Sequence, residues 1–197
     1  FDYFVDCTVE GGKFVPWRNI VPSFKYQKDL AYTAILVPTE DTTRFSYLMR
    51  TLITVDKPVF VTGMTGTGKT VMVQNLLRSL EPYPDEGGLA VVPTFMNFSA
   101  QTLSLITQQA IESKLEKKRK NLLGAPAGKK CIFFVDDINM PLVESYGAQP
   151  PVELLRQFLD FKGFYDRDKL FWKDITDTML FTGAAPPGGG RSVVTPR

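Results

Sequence analysis

Residues 61–77 read VTGMTGTGKTVMVQNLL, and this stretch constrains the fold more than any other. Gly63, Met64, Thr65, Gly66, Thr67, Gly68, Lys69 and Thr70 match G-x-x-x-x-G-K-[ST]. An apolar run, "KPVFVTG", precedes the motif, and the apolar periodicity of a helix begins at once after it. A strand, a glycine loop and a helix in that order make a phosphate seat. The glycines let backbone N–H groups wrap phosphate oxygens, and the helix N-terminus from Val71 onward adds its dipole. Lys69 would reach the terminal phosphates, and the Thr70 hydroxyl would ligate Mg²⁺. The plain alternative is a glycine turn before an ordinary helix. It explains neither the fixed Lys-Thr pair nor the flanking elements.

A phosphate seat of this kind needs a carboxylate strand beside it. "CIFFVDD", residues 131–137, runs through five apolar residues into two acids. Asp136 falls where a strand delivers the carboxylate that orients Mg²⁺. Asp137 falls where hydrolysing relatives of such sites keep a general base to orient water. Read alone, the segment is also a buried strand closed by a polar turn.

The remaining elements alternate in type. "KTVMVQNLLRSL" reads as a helix, "GGLAVVPTFMNFS" as a strand, and "AQTLSLITQQAIESKLEKKRKNLL" as one long amphipathic helix with a basic end. "GAPAG" is a loop, "KKCIFFVDD" a strand apolar on both faces, and "PPVELLRQFLDF" a helix with Pro150 and Pro151 in its first turn. "GFYDRDKLFWKDI" reads as a small hairpin and "DTMLFTGAA" as a further core strand. Upstream, a helix starts near Asp41 after a Pro-Thr turn. Residues 1–30 mix aromatics, Pro and Gly without a period and are expected to form an irregular lead-in, with residues 31–197 making the nucleotide-binding domain. Strands alternating with helices imply an α/β fold with a parallel central sheet flanked by helices, whose ligands sit at the carboxyl ends of the strands.

Composition narrows the function. The 197 residues are 44% hydrophobic and 22% charged, as in a soluble globular domain. A net charge of +2 predicts neither nucleic-acid nor membrane binding, and no apolar run reaches the length of a membrane span. The basic stretch from Lys114 to Lys130 is interrupted by Glu116 and reads as a solvated face. There is no His, which removes imidazole catalysis and His-containing zinc sites. Cys7 and Cys131 lack metal-ligand spacing; a single disulfide stays open, with a reducing compartment the better fit. The start at Phe1 and the stop at "RSVVTPR" suggest a segment of a longer polypeptide.

With these motifs in place, a family resemblance emerges. "VPTEDTTR" (37–44), "GMTGTGKT", "NFSAQT" (97–102), "FVDDINMP" (134–141), "YGAQPPVELLRQFLD" (146–160) and "APPGGGR" (185–191) together resemble the large α/β part of an AAA+ module from a dynein heavy chain. The likeness runs from about residue 10 to the end and is greatest to the third ring module, with axonemal wording. It implies a P-loop NTPase fold of AAA+ type without the small helical lid. It further implies ATP or ADP with Mg²⁺, neighbouring AAA+ modules as partners, and microtubule contact only through distant parts of the full protein. The implied setting is the cytoplasmic axoneme of a cilium or flagellum.

The resemblance also assigns residues. Val37 and Pro38 resemble the segment that packs on adenine, or are an apolar turn in the core. Arg191 and Arg197 resemble positions near a subunit boundary, where an arginine finger can be worth about 10³ to 10⁵ in rate. Either is equally readable as a solvated charge. Two departures stand out: Asp137 replaces the usual catalytic Glu, and Ala185 replaces an Asn that senses the γ-phosphate before Pro186. Tight binding with slow hydrolysis is therefore expected, against the rival readings of a competent ATPase, a module with permanently bound nucleotide, or a small P-loop kinase. The kinase reading requires an Arg-rich acceptor lid that the sequence does not contain.

Overall fold

The computed structural model describes residues 2–8, 10–26, 35–80 and 90–193. They fall into two compact units, Phe1–Lys57 and Pro58–Arg197. The domain boundary expected near residue 30 lies among residues 27–34, outside the described residues.

In the first unit, β1 (Tyr3–Asp6) and β2 (Lys13–Pro16) pair antiparallel. The expectation of an irregular lead-in is corrected here. Gly11 and Gly12 take positive φ of 83° and 69° and close the turn that a side-chain-bearing pair would strain. Trp17, in the 3-10 turn Trp17–Asn19, packs against Phe4 and Tyr47 with ring centroids 5.0 and 5.4 Å away. Tyr47 comes from α1 (Glu40–Thr54). Thr39 and Thr42 start that helix with a reciprocal capping box: the Thr42 amide donates to Thr39 Oγ1 at 3.2 Å, and Thr42 Oγ1 accepts the Thr39 amide at 2.8 Å.

The second unit is built on a parallel sheet in the order β3–β10–β7–β4, formed by Val59–Thr62, Thr178–Ala184, Lys129–Asp136 and Ala90–Asn97. Strand β7 is buried from Lys130 to Val135, as a central strand covered on both faces must be. Cys131, Phe133 and Val135 join one core with Ile111, Leu155, Phe158, Phe164 and Leu180. Phe134 packs edge-on against Phe95, 6.4 Å between centroids. Burying each such ring contributes about 1.5–3 kcal/mol. Helix α2 (Lys69–Ser79) buries Val73, Leu76 and Leu77. The amphipathic helix α4 (Pro150–Phe161) buries Leu154, Leu155 and Phe158, and its prolines occupy the first turn as expected.

One expectation changes. Helix α3 (Ser104–Glu112) stops well short of the long helix read from the sequence. The chain instead forms β5 (Glu116–Arg119) and β6 (Leu122–Gly124), which pair antiparallel. Strand β6 then joins β9 (Trp172–Thr176), which pairs with β8 (Gly163–Tyr165) in a second sheet. The physical reason is charge and packing. Lys114, Lys117 and Lys118 would crowd one helical face at i, i+3 and i+4, where like charges repel. Lys117 and Lys118 are instead exposed in the strand and Lys114 in the turn before it, while Leu115 and Leu123 pack against the core. The expected hairpin over residues 163–175 is present as β8–β9.

Among the described residues no helix is long and apolar enough to cross a membrane. Cys7 and Cys131 are both free; Cys7 is exposed and Cys131 buried. Burial, and secondarily the nearby Glu116 carboxylate, push the Cys131 thiol above its ordinary value. Since the thiolate is the nucleophile, iodoacetamide should label Cys7 in the native protein and reach Cys131 only after denaturation. Peptide mass mapping reads this; native labelling at Cys131 would contradict the packing.

Candidate nucleotide-binding site

Strands β3, β7 and β10 end side by side, and their carboxyl ends carry the residues singled out in the sequence. Thr62 of β3 leads into the glycine loop, β7 ends on Asp136, and β10 runs through Gly183 and Ala184 into Ala185. A cleft of about 340 Å³ lies there, lined by Thr65, Gly66, Gly68, Lys69, Thr70 and Val71 on one side and by Asp136, Asp137, Ala185 and Arg191 on the other.

The loop is shaped by glycine conformation. Gly66 and Gly68 have φ of 83° and 80°, left-handed values that a residue with a side chain would adopt only under strain. Gly68 is also the N-cap of α2, which therefore points its N-terminal dipole into the cleft. Thr67 Oγ1 donates to the Met64 carbonyl at 2.9 Å and braces the turn. The Lys69 ammonium donates to the carbonyls of Gly63 and Met64, both at 2.8 Å. Lys69 is thus held over its own loop, ready to exchange carbonyl partners for phosphate oxygens.

The carboxylate side is tied to the loop by one contact. Thr70 Oγ1 donates to Asp136 Oδ2, and Asp136 Oδ1 accepts the Asp137 amide at 3.0 Å. Asp136 lies against Gly183, where a Cβ would come 2.6 Å from Asp136 Oδ1. Sequence reasoning misses Gly183. Its signal is a glycine inside an otherwise apolar strand, which marks a close approach.

Asp137 follows with φ 50°, a left-handed conformation that Asp tolerates better than most residues. That turn lets the Ile138 amide donate to the Gly183 carbonyl at 3.0 Å and the Met140 amide to the Asp137 carbonyl at 2.9 Å. The half-buried Asp137 carboxylate is paired within its own chain: Arg191 Nε and Nη2 reach its Oδ1 at 3.3 and 3.2 Å. Ala185 presents only a methyl group to the cleft.

A second residue that sequence reasoning misses organises this side. Asn139 is 1% exposed, and its Nδ2 donates to the Ala185 carbonyl at 2.9 Å and to the Ser192 carbonyl at 3.1 Å. The Ser192 amide returns a bond to the Asn139 carbonyl at 3.0 Å. Both feet of the 185–192 loop are therefore pinned to one buried amide. Gln149, also buried, fastens the Pro141 carbonyl at 2.6 Å. The available signal is polar residues, in "DDIN" and "GAQPP", set where neighbours are apolar.

The residues present fit a magnesium–nucleotide. One hydroxyl and one carboxylate are hard oxygen donors, suited to an ion that keeps waters and phosphate oxygens as its other ligands. Among the described residues no group of three or more His, Cys, Asp or Glu could hold a metal by itself. Val37 and Pro38 belong to the first unit, in the segment before α1, with Val37 54% exposed. Arg197 lies outside the described residues.

Comparison with known proteins agrees with this geometry. Residues 24–197 match the family described as P-loop containing dynein motor region. Dynein axonemal heavy chain 6 of Homo sapiens is 54% identical over 182 residues, covering 92% of this chain and 4% of that protein. Dynein axonemal heavy chain 12 of Mus musculus is 41% identical over 199 residues, covering 100% of this chain and 6% of that protein. The dynein-1-alpha heavy chain of the flagellar inner arm I1 complex of Chlamydomonas reinhardtii is 39% identical over 187 residues, 94% of this chain and 4% of its own length. The chain therefore spans only a small part of these relatives.

The approach of Asp136 to Gly183 is testable. Gly183→Ala should displace the carboxylate and weaken Mg²⁺-dependent nucleotide affinity by about 10- to 100-fold, as loss of a metal-supporting contact does. Titrations with and without Mg²⁺ measure it; an unchanged Mg²⁺ dependence would show that Asp136 does not depend on that gap.

Proposed function

The chain belongs to the family of P-loop containing dynein motor regions, and on that premise we propose that it is a regulatory nucleotide-binding module of an axonemal dynein motor ring. It binds ATP or ADP with Mg²⁺ and turns ATP over slowly. Its partners are the neighbouring AAA+ modules of the same heavy chain, and microtubules are reached only through distant parts of that protein. The module is most like the third of the ring and works in the cytoplasmic axoneme of a cilium or flagellum, where it contributes to movement. The names of its relatives and the motif wording support this placement.

The observation that carries the reading is the asymmetry of the cleft. The binding half is complete: glycine loop, Lys69, Thr70 and Asp136 meet at hydrogen-bonding distance. The water-positioning half is weak, because Ala185 has no polar side-chain atom with which to place a water. Asp137 is also one methylene shorter than Glu, and a misplacement of about 1 Å can cost on the order of 10²-fold.

The division of labour follows from charge. Lys69 and the loop amides would hold the phosphates, and Thr70 and Asp136 the Mg²⁺ with its waters. When bound, Mg²⁺ neutralises phosphate charge and eases the approach of a nucleophile. Asp137 would orient water, and Arg191 and Arg197 are the guanidinium groups available to phosphate charge here or next door.

The test uses the full heavy chain. Lys69→Ala should remove one binding event seen by calorimetry, and in a single turnover the ATP bound in that Lys69-dependent event should release its phosphate slowly. Asp137→Glu should raise the Lys69-dependent turnover, on the order of tenfold or more. Brisk Lys69-dependent release by the parent chain would make this module an engine. Nucleotide that neither exchanges nor is lost on dialysis would make it a structural ligand.

A further inference from the structure

By sequence, Arg191 is a residue that could serve a neighbouring module. Its guanidinium instead lies in the phosphate cleft of its own chain, beside Asp137. We propose that Arg191 reads the terminal phosphate in this same cleft: it rests on Asp137 when that phosphate is missing and transfers to it when present, so that the 185–192 loop carries the nucleotide state. This rests on the nucleotide-binding reading above.

The resting contact is built to be exchanged. Nε and Nη2 both aim at one oxygen, Asp137 Oδ1, at 3.3 and 3.2 Å. A tight Arg–carboxylate pair would use both oxygens at roughly 2.7–2.9 Å. Both side chains are also partly exposed, 22% for Arg191 and 30% for Asp137, so parting them does not strand a buried charge. A guanidinium fork matches a phosphate as well as it matches a carboxylate.

The cleft offers few alternatives for this task. Of the described residues lining it, only Lys69 and Arg191 are cationic, and Ala185 has no hydrogen-bonding side chain. Lys69 comes from the start of α2, whereas Arg191 comes from beyond β10, so the second cation reports through a different element.

The loop is suited to transmitting the exchange. Gly188 and Arg191 bond each other's backbone reciprocally, N–H to carbonyl at 3.1 Å in both directions. Asn139 holds Ala185 and Ser192 at the loop's two feet. A pull on the guanidinium therefore acts on a closed turn with fixed ends, and it moves Pro186, Pro187 and the glycines that follow them. Asn139 acts as a positioning residue, because it sets where Arg191 starts. A ligand can shift this two-position equilibrium only by its differential affinity for the two states, and ATP differs from ADP by the very group the guanidinium would meet.

The experiment uses the full heavy chain, with Lys69-dependent binding taken as the difference between a chain and its Lys69→Ala counterpart. The probes are ATPγS and ADP with Mg²⁺. Arg191→Gln should weaken ATPγS by about tenfold or more, the scale of one hydrogen bond to a charged group, and ADP by less than about twofold. Arg191→Lys should restore part of the ATPγS preference. Asp137→Asn should strengthen ATPγS binding, because the guanidinium is released, and that gain should vanish when Arg191→Gln is added. Equal weakening of both probes by Arg191→Gln, or of neither, overturns the proposal and leaves the nucleotide site standing. Absence of any Lys69-dependent binding in the parent overturns both.

Discussion

The contact between the Thr70 hydroxyl and the Asp136 carboxylate holds the site together. It joins the first turn of α2 to the end of β7, and through the Asp137 amide it fixes how the chain leaves the sheet. Asp136 can sit there only because β10 places a glycine under it. A hydroxyl, a carboxylate and a missing side chain, from three separate elements, thus define where a hard cation and its phosphate could be held. The parallel register explains why they meet: Thr182 aligns with Val135 and Gly183 with Val61, so all three strands end on one line.

From that joint outward the arrangement becomes more polar and less tight. Asp137 takes a left-handed turn, and Asn139 goes back into the protein to bind two carbonyls of the 185–192 loop. A buried amide doing this costs desolvation that its hydrogen bonds must offset, so its return is specificity of placement. Both the acid and the cation at the rim, Asp137 and Arg191, are set by this one residue, through the chain on one side and through the loop on the other. The binding half, by contrast, is set by backbone geometry in the glycine loop.

The parts legible in the sequence share a cause. The glycine loop, the helix after it, β7 and α4 are specified by contiguous residues whose spacing or apolarity has one structural solution. The same contiguity makes Lys69, Thr70 and Asp136 nameable from spacing, whereas Asp137 takes its role from the resemblance. Gly183 and Asn139 are not legible in that way, because each acts across a long sequence separation on atoms the local pattern does not reveal. The region after Glu112 misleads for a different reason. Leu115, Leu122 and Leu123 fit a helical period about as well as a strand pair, and the decision comes from β9, to which β6 pairs. The β1–β2 hairpin is short and mostly exposed, so its sequence has little alternation to display.

The pairing of Asp137 with Arg191 bears on why a weakened catalytic half would persist beside a complete binding half. A carboxylate engaged by a guanidinium is a poorer acceptor for a water proton, and a guanidinium engaged by a carboxylate is a poorer partner for phosphate. Each restrains the other. Lengthening Asp137 to Glu would change the reach of the acid and also the seat of the cation, so turnover and state-reading are coupled in one contact. A site with Asn at position 185 would have a phosphate contact independent of that pair. With Ala185 in its place, Arg191 is the lining side chain among the described residues that can donate to a terminal phosphate from beyond Asp136. Once Arg191 moves to that phosphate, as proposed, Asp137 is freed, so the slow turnover proposed above would follow from the length of Asp137 and the methyl group of Ala185, and sensitivity to phosphate state from Arg191.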